Sequence, residues 1–483
     1  MACFFILLAR APGQDADATA GTNQPGPQTL STNQIVPVNP VPTDQTSTNP
    51  VPTEQLQTPY LPPSAIDAQN SLTNQFGVLV NPAPLIVPSS TGSPQPAPLL
   101  GTTVIGGPLS GIGAPVTGPG IPLWGPIDIH PRLLYSFTYG NGVQSQPGVA
   151  SDTAVNTFAP GFLLDLGQHW TIDYNPSFIF YSSSQYKNAV DESVLLRGFW
   201  AYEDWTLNLA QGYSDSTAPL VETGVQTAQE AYTTAISAAH QMSDNLSLDL
   251  SVNQNFRFSP GFTDLHEWTT VDWLNYRPNT VLGLGLGLTL GYDDLSVGSD
   301  TPFEQIQGRI KIDPGPKLSI VLTGGASDRQ FIDPSEPPLI SPIYSASLFY
   351  QIFEPTLIDL SASRTVSSSF YSDQTEQVTV YSAALHQQLS PKLSLALSAT
   401  YSEIPLTSTE NAPMPQFFVG NAPTSTLLVA QNSKVSSGRI SLSYTINQHA
   451  SLSIFYMISD NSSSQAAYSY WSRQVGLYLS YRY

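Results

Sequence analysis

The chain has 483 residues, with 36 acidic and 16 basic side chains and a formal charge of −20. Charged residues make up 11% of it, where a soluble protein of ordinary composition has about 25%, so a soluble fold of this size would lack the material for a charged exterior. The acidic balance excludes nucleic acid as a partner, because its phosphates would be repelled. No run of about 18 apolar residues offers a membrane-spanning helix. A mean hydropathy of −0.07 with 10% aromatic residues fits apolar side chains spread over alternate positions, and so many aromatic residues argue against a disordered chain.

The first segment, "MACFFILLARA" (Met1–Ala11), has a short apolar run ending in the small-x-small triplet Ala9-Arg10-Ala11. It reads as the tail of a secretory signal peptide whose basic start is clipped. The alternative is a chance apolar N-terminus. Cys3 is the single cysteine, which excludes an intrachain disulfide or a cysteine-based metal site.

Residues 12–127 are a different material. They hold 22 of the 42 prolines, and their charged residues are Asp15, Asp17, Asp44, Glu54 and Asp67. "NPVPTDQ" from Asn39 returns as "NPVPTEQ" from Asn49. Such a composition cannot bury a core, so the segment is expected to be extended and disordered.

From Asp128 onward one pattern repeats. In "KLSLALSATYS" (Lys392–Ser402), Leu393, Leu395, Leu397, Ala399 and Tyr401 alternate with small or polar residues, and "LSLDLSVNQNFRF" (Leu246–Phe258) does the same. Side chains on a strand point alternately to its two faces, so each such segment is a strand with one apolar and one polar face. Eighteen strands are expected, near 130–142, 155–166, 170–182, 193–203, 205–214, 227–240, 246–258, 265–276, 280–292, 303–313, 317–329, 341–352, 356–366, 376–388, 392–403, 433–446, 450–459 and 470–483. Sixteen result if one early pair is misread. Every even strand is followed by a short turn, such as "GQH", "ED" or "NQH", and most odd strands by a longer polar loop. Short turns at one rim and long loops at the other predict a transmembrane antiparallel β-barrel, all-β, with both termini on the short-turn side.

The apolar parity carries Trp170, Trp205, Tyr213, Tyr292, Tyr401, Tyr444 and Tyr481 near strand ends, where amphipathic rings suit a headgroup boundary. The other parity carries Arg132, Arg197, Arg257, Arg309, Lys311, Arg329, Arg439 and Arg482, together with Asp173, Asp249 and Asp359. These are the candidate pore-lining residues, whose opposed charges would set the field across an aqueous channel or else pair and stiffen a filled lumen. From Asp128 onward the chain has 31 acidic and 15 basic residues, which suggests a modest cation preference at the mouth.

Chemistry has little support in this sequence. "VLGLGLGLTLGYDD" (Val281–Asp294) lacks the helix and the G-x-G-x-x-G spacing of a phosphate-binding loop. Its glycines are expected on the inner face, where something packs close or the sheet bends. The histidines at 130, 169, 240, 266, 386 and 449 are dispersed without metal-ligand spacing. Asp293, Asp294 and Asp300 could hold a cation, although a solvated loop accounts for them better. No catalytic residue, metal or cofactor is expected.

The last strand, "WSRQVGLYLSYRY" (Trp471–Tyr483), alternates Val475, Leu477, Leu479 and Tyr481 and ends on the aromatic Tyr483. It resembles the C-terminal signal of Gram-negative outer-membrane β-barrels, and the strand pattern over residues 128–483 resembles the β-barrel porin families. Together with the composition, this gives three expected segments: a partial signal peptide (1–11), a proline-rich periplasmic segment (12–127), which a usual porin does not have, and an outer-membrane barrel (128–483). The resemblance implies outer-membrane lipids and the barrel-assembly machinery as partners, the latter through the strand ending at Tyr483. The function expected is a porin-like channel for passive diffusion of small hydrophilic solutes. The alternatives are a barrel component of a polysaccharide export or surface-assembly system, with the proline-rich segment reaching a periplasmic partner, and a structural or adhesive barrel with a blocked lumen. The sequence leaves the oligomeric state and the solute open.

Overall fold

The computed structural model describes residues 121–141, 152–167, 169–219, 226–333, 337–371, 374–408, 418–419, 422–423, 432–464 and 469–483. The signal-peptide reading and nearly all of the proline-rich segment lie outside the described residues. A short strand, Ile121–Trp124, pairs with the start of the first wall strand.

Eighteen long strands form the wall: β1 Ile127–Asn141, β2 Thr153–Leu166, β3 Trp170–Tyr181, β4 Ala189–Tyr202, β5 Trp205–Pro219, β6 Gln226–Ser243, β7 Leu246–Phe258, β8 Leu265–Tyr276, β9 Leu282–Leu295, β10 Thr301–Gly315, β11 Leu318–Arg329, β12 Leu339–Phe353, β13 Thr356–Ser368, β14 Gln374–Ser390, β15 Leu393–Ser408, β16 Asn432–Thr445, β17 Ala450–Ser463 and β18 Tyr470–Arg482. Each pairs antiparallel with its neighbours in the chain. β18 then pairs with β1, from Arg132↔Arg482 to Asn141↔Arg473. The sheet therefore closes on itself and leaves no edge among the wall strands.

All eighteen expected strands are present. Their upper ends run further than the alternation indicated. β5 continues to Pro219, β15 to Ser408 and β17 to Ser463. The apolar parity stops where its lipid-like surroundings would stop, while the backbone ladder continues through Ser, Thr and Asp residues that carry no alternation.

The turn chemistry follows from strand twist. Tyr202 and Trp205 are joined by Glu203-Asp204, and Glu203 has φ of 50°, the left-handed conformation that tight hairpins require. Before the two-residue turns at 244–245, 316–317, 354–355 and 391–392, the ladder shifts register instead. Those bulges add the twist that the turns lack.

The strands are tilted. A single row of cross-strand partners runs Pro131, Phe162, Tyr174, Val194, Tyr213, Tyr232, Phe256, His266, Asp294. It starts near the lower end of β1 and finishes one residue from the upper end of β9. A row perpendicular to the strands climbs in this way only if the strands lean, as barrel closure demands.

Burial is inverted relative to a soluble protein. Leu286 is 62% exposed, Ile306 61% and Ile236 54%, whereas Asn253 and Asn461 are 1% exposed and Arg329 3%. The apolar parity covers the outside, and the polar parity fills the interior. Closure is directly testable. Cysteine pairs at Ser136/Tyr478 and at Phe137/Leu477 are consecutive cross-strand partners, so one of the two occupies the closer, non-hydrogen-bonded spacing. One pair should oxidise to an intrachain disulfide in the folded protein, detected by gel mobility, and neither should do so if β1 and β18 are apart.

Candidate functional site: the lumen and its constriction

The ladder puts all eleven sequence-selected charged residues on one parity, the inner one. Arg132 faces Gly161, Asp173 faces Leu195 and Leu163, Arg197 faces Thr171, and Arg309 faces Gly285. The structure sorts them into two levels. Arg132, Asp173, Arg197, Asp249, Arg309, Lys311, Asp359, Arg439 and Arg482 lie within seven residues of the short-turn end of their strands. Arg257 and Arg329 lie at the opposite rim, at the ends of β7 and β11.

In the lower level charges are mostly engaged by neighbours. Arg132 Nη2 donates to Asp173 and to Asn175 Oδ1, and Asn175 Nδ2 donates to Asp173 at 2.6 Å. Arg309 Nη2 donates to Asn275 Oδ1 at 2.5 Å, and Asn275 Nδ2 donates to Asp249 Oδ2 at 2.7 Å. His130 and Asp165 form a further pair at 2.9 Å. Lys311 reaches Asp313 at 3.5 Å. At the seam where the barrel closes, Arg132 and Arg482 are direct cross-strand partners. Like charges placed so are unfavourable, and Asp173 offsets one of them.

The glycines of β9 now have a physical role. Gly287 is the cross-strand partner of Trp273, and Gly291 of Phe303. A Cβ at Gly287 would meet the Trp273 indole at 2.8 Å, so the missing side chain lets the ring lie flat on the wall. The Arg309 guanidinium then stacks over Trp273 at 4.2 Å from the ring centroid, and Arg329 over Phe303 at 4.3 Å. The device recurs on the other side of the barrel. Phe455 is paired with Gly476, and Arg439 stacks over Phe455 at 4.2 Å. Each arginine is thereby held by cation–π attraction against an aromatic ring, with its edge left for a carboxylate, an amide or a solute.

The upper level contains a segment that contacts several other wall strands. The tip of the β13–β14 hairpin folds inward, away from the rim where the sequence placed it. Arg329 Nη2 donates to the Val366 carbonyl at 3.0 Å, Ser368 Oγ to Asp293 Oδ2 at 2.6 Å, and Arg257 Nη2 to the Ser369 carbonyl at 3.0 Å. The Thr263 amide donates to the Phe370 carbonyl at 2.9 Å. Arg257 also lies 3.9 Å from the Phe370 ring centroid, and Phe262 packs edge-on against Phe370 and Tyr371. β7 and β13 are six strands apart along the wall, so these contacts reach across the lumen. Asp293 and Arg329 pair at 2.8 Å beneath the tip, with side chains 2% and 3% exposed.

The candidate cation cluster does not form. Asp293 points inward to Arg329, while Asp294 lies on the outer parity beside His266 at 3.3 Å. Asp300 accepts from the Tyr292 hydroxyl at 2.8 Å. Among the described residues no group of three His, Cys, Asp or Glu could hold a metal.

Sequence reading missed Trp273, Phe303, Phe455, Asn275 and the tip Ser368–Tyr371. The aromatic trio did carry a signal, because each stands on the polar parity opposite a glycine. The tip carried none, because "SSFYS" reads as an ordinary loop.

These features define a closed eighteen-stranded barrel with a polar, charge-paired interior and an inward-folded constriction. No protein-family model matches the sequence, and no curated protein matches it. Among solved structures the chain is similar to the outer membrane protein OpdK of Pseudomonas aeruginosa, at 13% identity and a TM-score of 0.40 over 74% of this chain and 98% of that one. It is also similar to OccK2 (OpdF) of Pseudomonas aeruginosa in complex with glucuronate, at 10% identity and 0.41, over 74% and 98%. A third is the ferric enterobactin receptor PfeA of the same organism, at 9% and 0.38, over 74% and 80%. The assignment as a barrel rests on this chain's own closed ladder.

Filling the Gly287 site should disturb the stack above it. Gly287→Leu is expected to destabilise the barrel by about 1–3 kcal/mol through overpacking and to red-shift the Trp273 emission. Urea unfolding and fluorescence against a Trp273→Phe reference check both.

Proposed function

We propose that the chain is an outer-membrane, porin-like channel that admits small hydrophilic solutes by passive diffusion. One observation carries this reading: a mainly polar inner surface of Ser, Thr, Asn, Gln, Arg and Asp, interspersed with residues such as Leu163, Leu195 and Trp273, lies inside a wall whose outer surface is mainly apolar. A soluble protein rarely exposes so large an apolar surface. Hydrocarbon tolerates a spanning sheet only if it is closed. Barrels of 16–18 strands have room for an aqueous channel. The terminal strand β18, with Tyr481 and Tyr483 on the outer parity, supports recognition by the barrel-assembly machinery. The chain enters β1 and leaves β18 at the short-turn rim, which supports a periplasmic place for the proline-rich segment.

Within this reading the eleven charged candidates line the water path. Two of the five lower-level arginines, Arg132 and Arg309, are bracketed by acidic or amide neighbours, which tempers the positive field and suits uncharged or zwitterionic polar solutes. The inward tip favours a second reading, a blocked lumen, and it is the feature that separates the two.

Single-channel recording in a planar bilayer distinguishes them. The proposal expects steady conductance steps in the intact protein, and larger ones in Arg257→Ala/Arg329→Ala, where the tip loses its anchors. Silence in both proteins would establish the blocked barrel. Under a salt gradient, Arg309→Glu/Lys311→Glu should shift the reversal potential toward cations by several millivolts or more. No shift would remove the lower level from the ion path.

A further inference from the structure

Below the level of the upper aromatic residues, a stretch of the outer surface on β5–β8 breaks the apolar rule. Gln211, Thr234 and Gln254 are consecutive cross-strand partners on β5, β6 and β7, and the row ends on Trp268 of β8. Thr270 and Asp272 follow on β8. Each of the first four polar residues sits two positions deeper than an aromatic one: Gln211 below Tyr213, Thr234 below Tyr232, Gln254 below Phe256, Thr270 below Trp268. Asp272 is deeper still, flanked across the strands by Leu250 and Leu288. On neighbouring β9 the same band holds Leu284, Leu286, Leu288 and Leu290.

Beneath this polar row lies an outward-facing groove of about 610 Å³ whose lining includes Trp200, Ile236, Ala238, Leu250 and Val252. Ile236 and Val252 stand proud at its edges, 54% and 51% exposed.

We propose that this face, β5–β8, is where a second copy of the chain docks within the membrane. The inference rests on the outer-membrane reading above. Acyl chains offer no hydrogen-bond donors, so amides and a carboxylate placed below the aromatic girdle are costly unless a protein covers them. The covering partner must itself be embedded and must present hydrogen-bonding groups at the same depth. A second copy related by an axis along the membrane normal does so automatically, because its own patch lies at an identical height. The patch is also self-complementary. Gln211 and Gln254 supply amide donors and acceptors, Thr234 and Thr270 supply hydroxyls, and Asp272 supplies a strong acceptor. Thr234 donates to Gln211 at 2.9 Å within one copy, and Asp272, which accepts from the Ser251 amide, keeps further acceptor positions for donors of the partner. The apolar knobs and groove below give the same interface its van der Waals contact.

The test uses the full chain in native membranes, in a Cys3→Ser background, with a bifunctional thiol cross-linker. Thr270→Cys should give a cross-linked band of two or more chains, and Leu397→Cys, on the outer parity of β15, should stay monomeric. Adding Gln254→Leu and Asp272→Leu to the Thr270→Cys protein should cut the cross-linked fraction at least fivefold. Thr270→Cys left monomeric, or both positions cross-linking alike, overturns the proposal. If in either case the chain remains detergent-dependent and heat-modifiable on gels, the membrane reading survives while the docking face falls. A chain that stays monodisperse without detergent would instead remove the membrane reading itself.

Discussion

The pairing of β1 with β18 is the constraint from which the rest of the molecule follows. An open strand edge presents the unpaired N–H and C=O of every second residue, and nothing in an apolar surrounding can satisfy them. Closing the sheet removes both open sides at once. It also fixes an inside and an outside, so that the period-two alternation along every strand acquires a meaning it would lack in an open sheet. Had Arg482 not met Arg132 across the seam, the same leucines and serines would have lined two faces of an aggregation-prone ribbon.

Given an inside and an outside, the chain uses them asymmetrically. Below the upper rim, Leu, Ile, Val and aromatic residues dominate the outward face beyond β5–β8, while charged residues such as Glu304 and Lys434 take that parity near the upper strand ends. Inward, the arginines are mounted in several ways: on rings laid over glycines, as for Arg309, Arg329 and Arg439, or in carboxylate and amide brackets, as for Arg132. A guanidinium mounted on a ring turns its planar edge toward acceptors, as Arg309 does to Asn275 and Arg329 to Asp293, and loses little entropy per bond formed. The upper tip exploits the same chemistry, because Arg329 of nearby β11 grips the Val366 carbonyl and Arg257 of β7 the Ser369 carbonyl. The constriction is therefore held by main-chain carbonyls together with the Ser368 hydroxyl and the Phe370 and Tyr371 rings.

Much of this was legible before any coordinates. Alternation located all eighteen strands, since a strand with two unlike faces writes its period directly into the sequence. Short turns located the rim at which both ends of the barrel lie, because a two-residue connection leaves room for nothing else. Parity put Arg132, Asp249, Arg309 and the other charged candidates on the inner face. What alternation could not convey was anything set by a third dimension. The partners of Arg257 lie more than a hundred residues away, on a loop whose "SSFYS" has no distinctive composition. Asp293 and Asp294 are adjacent in the chain and therefore on opposite faces, so their apparent cluster dissolved. Upper strand ends were read short because polar residues continue the ladder without continuing the pattern.

The central claim, that alternate residues of one strand meet lipid and water, is best examined along β9. Nitroxide labels placed singly at each position from 284 to 290 in reconstituted vesicles report accessibility to dissolved oxygen and to a water-soluble nickel chelate. The account predicts strict alternation, with positions 284, 286, 288 and 290 open to oxygen and protected from the chelate, and the odd positions reversed. Uniform accessibility, or the opposite phase, would contradict it.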